Sequence, residues 1–110
     1  MREADLNQAD LSGTKLSGVN LAHSNLKSSN LSLSVLDRIN LSFAKLQAAN
    51  LSYSILTLSD LSWAYLEGAN LINTELAGAN LTCADLSGAD LRGANLGRTN
   101  LALAKLRGPK

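Results

Sequence analysis

ADLSGADLRGANL, residues 84–96, holds three leucines five residues apart, each preceded by Asp or Asn and, one place further back, by Ala. The spacing runs from Leu6 to Leu106 without a slip, 21 leucines in all. Period five fits neither regular structure. On an α-helix five residues turn the chain through roughly 500°, so successive leucines scatter around the cylinder. On a flat strand an odd spacing sends them to alternate faces. The leucines share one side only if the chain turns after every five residues, so that each points to a common axis.

Take each leucine as position 0. Position −2 is small or modest throughout: mostly Ala, with one Val and one Ile, and otherwise Ser or Thr. Along a short extended piece this residue lies on the leucine's side, so both face inward. The hydroxyls are short enough to reach nearby backbone. Position −1 is Asn or Asp in 14 of 21 repeats, residues that favour turns and bond their own backbone. Proline occurs only at Pro109, after the last repeat, as expected if internal amides serve ladder bonds.

ADLNQ at 4–8, ANLSY at 49–53, ADLSG at 84–88 and ADLRG at 89–93 carry the A(D/N)LXX motif, and the chain resembles the pentapeptide-repeat family. The match covers residues 4–108, so residues 1–110 read as one repeat domain of 21 pentapeptides. The resemblance implies an all-β fold, a right-handed quadrilateral parallel β-helix of about five coils with four pentapeptides per coil. No capping helix is expected.

Composition excludes several classes. Ten Lys or Arg against nine Asp or Glu leave a net charge of +1, which argues against direct nucleic-acid binding. One cysteine, Cys83, forms no internal disulfide and asks for no oxidising compartment. Neither a signal-peptide core nor an apolar run of about 18 residues stands in the sequence. The expectation is a cytoplasmic chain without a membrane span. Sequons at Asn30, Asn40, Asn50 and Asn80 follow from writing Asn-Leu-Ser/Thr repeatedly.

With 20 residues per coil, residues 20 apart stack in one column. Positions +2 and −1 then form the four corners of the coil. One corner carries Leu33, Val35, Tyr53 and Ile55, polar above and below. The diagonally opposite corner carries Phe43, Trp63 and Tyr65. Stretch 51–66, LSYSILTLSDLSWAYL, crosses both and adds Leu58. Phe43, Trp63 and Tyr65 with Leu33, Val35, Tyr53 and Ile55 are the candidate partner-binding set, since Trp and Tyr are enriched in interface hot spots and bounded apolar patches mark contacts. Packing on column neighbours is the structural alternative.

No reaction is announced. The single His23 and the single Cys83 share a column three coils apart, about 14 Å by the strand spacing, too far for a nucleophile and base. Asp85 and Asp90 sit at turn positions. No catalytic, cofactor or metal residues are expected. Charge is uneven: residues 46–91 hold five acids and no base, and residues 92–110 hold five bases and no acid. The reading is a non-enzymatic scaffold presenting stacked side chains to a protein partner. The resemblance adds an alternative, a DNA mimic binding DNA gyrase as in quinolone-resistance relatives, which neutral charge disfavours. A designed or excised repeat array is a further alternative. A β-helix without caps exposes backbone and leucines at its ends, so a homodimer through a terminal coil is expected, the N-terminal coil being favoured because the C-terminal one would bring five basic residues together.

Overall fold

Almost every five-residue step closes the same turn with a hydrogen bond. The amide of position +3 donates to the leucine carbonyl, as Ala49 does to Leu46 at 3.0 Å. Position +2 is left-handed in each repeat, with φ between 56° and 73°. A single left-handed residue in the third place is the type II pattern. Seven glycines occupy such positions, but fifteen other residues do too, among them Leu33, Tyr53 and Trp63.

The computed structural model describes residues 2–110. Parallel bridges join position −1 residues 20 apart, running Asp5–Asn25–Lys45–Tyr65–Asp85–Lys105 through successive coils. Four pentapeptides therefore complete one coil. The stacked coils measure 28 × 19 × 19 Å, the equal short axes of a square section. No described residue is helical, and no helix is long and apolar enough to cross a membrane.

Each repeat within the rod has five amides, and the ladder and the turn place four of them. Position 0 donates to the next coil, as Leu46 to Tyr65 at 2.7 Å, and so does position +2, as Ala48 to Glu67 at 3.0 Å. Position −1 donates to the coil before, as Asn50 to Ser29 at 2.9 Å. The amide of position −2 closes the turn. The remaining amide, at +1, has no backbone acceptor in range, and the Asn or Asp at −1 takes it. Ser52 donates to Asn50 Oδ1 at 3.0 Å, and its hydroxyl adds a second bond at 2.7 Å. All fourteen Asn and Asp residues at −1 do this. An unpaired amide is costly, so these side chains complete the backbone accounting.

The leucines from Leu21 to Leu86 are at most 1% exposed, as the inward assignment requires. Leu6, Leu11, Leu16, Leu91, Leu96 and Leu101 pack against this core but are only partly buried, because one side of each lacks a neighbouring coil. Inward hydroxyls bond the turn carbonyl three residues back: Ser29 to Leu26 at 2.7 Å, Thr74 to Leu71 at 2.9 Å. Ser59 differs, its buried Oγ meeting no partner. The C-terminal tail continues the ladder, Leu91 donating to Lys110 and Lys110 to Ala89.

The caps have an electrostatic consequence. Bonds from the Ser12 and Ser87 hydroxyls, then from their amides, hold Asp10 and Asp85 below the ordinary carboxylate value, and the Arg92 side chain does the same for Asp90. A carboxylate lowered in the folded state contributes stability that is complete above its unfolded value, 3.8, and is lost as pH falls through the lower folded one. The melting temperature should therefore drop as pH descends below that value, and the drop should be shallower in Asp85→Asn, whose amide oxygen keeps the turn bond without titrating. Parallel acid limbs in the two proteins would contradict this linkage.

Left-handed backbone gives a second prediction. Ala48 is exposed at φ 58°. Its conformation costs an L-residue about 1–2 kcal/mol, more than the 0.5–1 kcal/mol by which glycine usually weakens a structure. Ala48→Gly should stabilise the fold by about 0.5–1 kcal/mol in urea unfolding, and a lowered midpoint would count against a strained position +2.

Candidate functional site

Side chains leaving position +2 of one column share their backbone conformation: φ is 61° at His23, 59° at Phe43 and 60° at Trp63. They therefore leave the corner in parallel. His23 stacks on Phe43 with ring centroids 4.8 Å apart, and Phe43 on Trp63 at 6.0 Å, both pairs within 2° of coplanar. The spacing follows the coil repeat and lies in the range that aromatic pairs favour. Trp63 remains 53% exposed, with Phe43 and Tyr65 also exposed.

Below this stack the column carries Cys83 and then Leu103, both left-handed as well. The short thiol leaves a pocket of about 200 Å³ lined by Trp63, Ala64, Tyr65, Cys83, Asp85 and Lys105. Phe43 covers one face of the Trp63 indole, and the other looks into this space. Asp85 Oδ1 accepts the Ser87 amide at 3.0 Å and its hydroxyl at 2.6 Å. Beside the pocket, Tyr65 replaces the usual Asn or Asp, so no side chain caps the Glu67 amide. Lys45 does the same for Gln47. The Oε1 atoms of Gln47 and Glu67 are both buried without a partner.

The structure brings Phe43, Trp63 and Tyr65 together on one corner, and Leu33, Val35, Tyr53 and Ile55 on the diagonal one. Leu33, Tyr53 and Ile55 are exposed, while Val35 is half-buried between its bridge partners Lys15 and Ile55. His23 joins the aromatic stack; column arithmetic places it over Phe43, but coplanarity of the rings is not readable from spacing. Leu58 is exposed on a third corner, outside both sequence patches, and lies over Gly78, where a Cβ would come within 2.7 Å of Leu58 Cδ2. His23 and Cys83 are held apart by the Phe43 and Trp63 rungs. Among the described residues no group of three or more His, Cys, Asp or Glu is placed to hold a metal ion.

Comparison with known proteins bears on this geometry. A sequence model of pentapeptide repeats matches in eight copies over residues 1–32, 30–62, 59–98 and 84–109. No curated protein matches the chain. Among solved structures, a pentapeptide repeat protein (Rfr23) from the cyanobacterium Cyanothece 51142 superposes with a TM-score of 0.93 at 31% identity, over 96% of this chain and 86% of that one. A pentapeptide repeat protein of the Arabidopsis thaliana thylakoid lumen gives 0.84 at 33% identity, over 86% of this chain and 66% of its own. QnrB1, a plasmid-mediated fluoroquinolone resistance protein, gives 0.60 at 18% identity over 96% of this chain and 78% of its own, a likeness of fold alone. The unbroken Leu column, the 20-residue bridges and these matches place the chain in the pentapeptide-repeat family, whose members form right-handed quadrilateral β-helices.

Proposed function

We propose that the chain is a non-enzymatic interaction scaffold whose aromatic corner docks a protein partner. The observation that carries this reading is the exposed, coplanar His23–Phe43–Trp63 stack with Tyr65 beside it. Large aromatic groups held rigidly at a surface supply contact area with little side-chain entropy to lose on binding. The Leu33, Val35, Tyr53 and Ile55 corner offers a second contact on the same rod. A DNA-mimic reading needs a continuous acidic face, and the five basic residues from Arg92 onward weigh against it. A cytoplasmic setting belongs to the same proposal, since nothing in the fold requires a disulfide.

Affinity capture from extracts of the source cells, followed by mass spectrometry, tests the docking corner. Trp63→Ala should lower recovery of at least one specific protein ten-fold or more, with unchanged melting temperature and with Ser28→Ala, on a corner outside both apolar patches, as control. Recovery of the same proteins in the same amounts would remove the reading. Self-association through the N-terminal coil, where Leu6, Leu11 and Leu16 keep partial exposure, extends the proposal to a second copy. Sedimentation at micromolar concentration should show a dimer that Leu6→Lys weakens; a clean monomer would end that part.

A further inference from the structure

The aromatic column stops one rung short. Rings occupy rungs 23, 43 and 63, the thiol of Cys83 occupies the next, and Leu103, 82% exposed, the one after. We infer that the notch beneath Trp63 is a receptor for a single aromatic side chain of a protein partner, presented by a segment with acidic residues beside it. This deepens the scaffold reading above and rests on it.

Geometry selects the ring. Cys83 has φ 61° and Leu103 φ 59°, matching Phe43 at 59°, so all three aim their side chains along the same line. A ring lying over Cys83 would stand one coil from Trp63, the separation already present at 4.8 Å for His23–Phe43 and 6.0 Å for Phe43–Trp63. Its other face would rest on Leu103. The pocket of about 200 Å³ is large enough, since an apolar cavity of about 150 Å³ holds benzene. The inserted ring would restore the missing rung and cover the open face of the indole.

Charge selects the flanking residues. Lys105 lines the notch and forms no ion pair among the described residues. Asp85 lines the notch as well and stays ionised, its carboxylate bonded by Ser87, and Lys105 and Arg107 both lie close enough to stabilise that charge. Arg107 thus adds a second cation close to Asp85, so two cations stand against one acid, and no acid follows residue 91. An acidic segment approaches this end favourably and a basic one does not. A guanidinium could stack on the free indole face too, but it would meet Lys105 and Arg107.

The chain's single tryptophan is its own reporter. Acetyl-Glu-Phe-Glu amide, acetyl-Glu-Ala-Glu amide, acetyl-Lys-Phe-Lys amide and acetyl-Glu-Arg-Glu amide are titrated against Trp63 emission. The acidic aromatic peptide should give a saturable change with a midpoint in the millimolar range. The Ala peptide should give none, and the Lys-flanked and Arg peptides should bind at least five-fold more weakly. Cys83→Phe, which fills the rung from within, should abolish the response, and Cys83→Leu serves if that variant does not fold. Lys105→Glu should weaken the acidic peptide at least five-fold. An absence of saturation up to the solubility limit, an unaltered response in the filled variants, or equal binding of the basic or Arg peptide overturns the inference. If the notch fails while Trp63→Ala still lowers partner capture, the corner is a flat docking face and only this inference falls; loss of both removes the scaffold reading as well.

Discussion

A chain that turns a square corner every five residues leaves one amide per repeat that neither neighbouring coil accepts. The rest of the structure is arranged around that amide. The coil spacing fixes three amides on the ladder and the turn fixes a fourth, so position +1 must be capped from within its own repeat. Asn or Asp at −1 is the side chain of the right length. The requirement explains why these two residues alternate freely along the chain although one is charged: only Oδ1 is used, as in Asn50 with Ser52 and Asp60 with Ser62. Where it is Asp, the same bonds favour the ionised form, as at Asp10 and Asp85.

The exceptions are informative because they are localised. The cap is absent where position −1 is Lys15, Val35, Lys45, Ile55, Tyr65, Glu75 or Lys105. All seven lie on two opposed faces of the square, and the other two faces keep Asn or Asp in every coil. Val35, Ile55 and Tyr65 are members of the two apolar corners. Each of these residues gives up a structural hydrogen bond, worth about 1 kcal/mol, for a large apolar group at the surface. Stacking on column neighbours returns about 0.2–1 kcal/mol per pair, and with a neighbour on each side packing is enough to match the loss.

Much of this was legible before the fold. The Leu column, the inward −2 residue and the self-bonding Asn and Asp follow from the residues and their period of five, and the two apolar corners follow once the family resemblance supplies four pentapeptides per coil. The left-handed backbone at +2 did not follow, because Leu33, Tyr53 and Trp63 are residues that seldom adopt it. Its signal was present: seven of the eight glycines stand at that position. The contribution of His23 to the stack and the depth of the notch depend on side-chain directions set by that conformation. Leu58 was passed over because it stands alone on its corner, where its neighbour is Gly78 rather than a second apolar group.

Left-handed backbone bears on function through rigidity. A non-glycine residue at such φ costs about 1–2 kcal/mol and persists only where its surroundings determine it. Of the large apolar side chains at this position, Leu33, Phe43, Tyr53, Leu58 and Trp63 fall in the middle of the rod, where coils above and below bury the leucines completely, and Leu103 stands at its end. The same ladder that holds the strained backbone fixes the direction of each ring, as the 2° agreement between planes shows. A side chain already held in its bound direction gives up little freedom when a partner arrives. The central coils therefore combine the firmest support in the molecule with its most exposed aromatic groups, spaced one ring per coil.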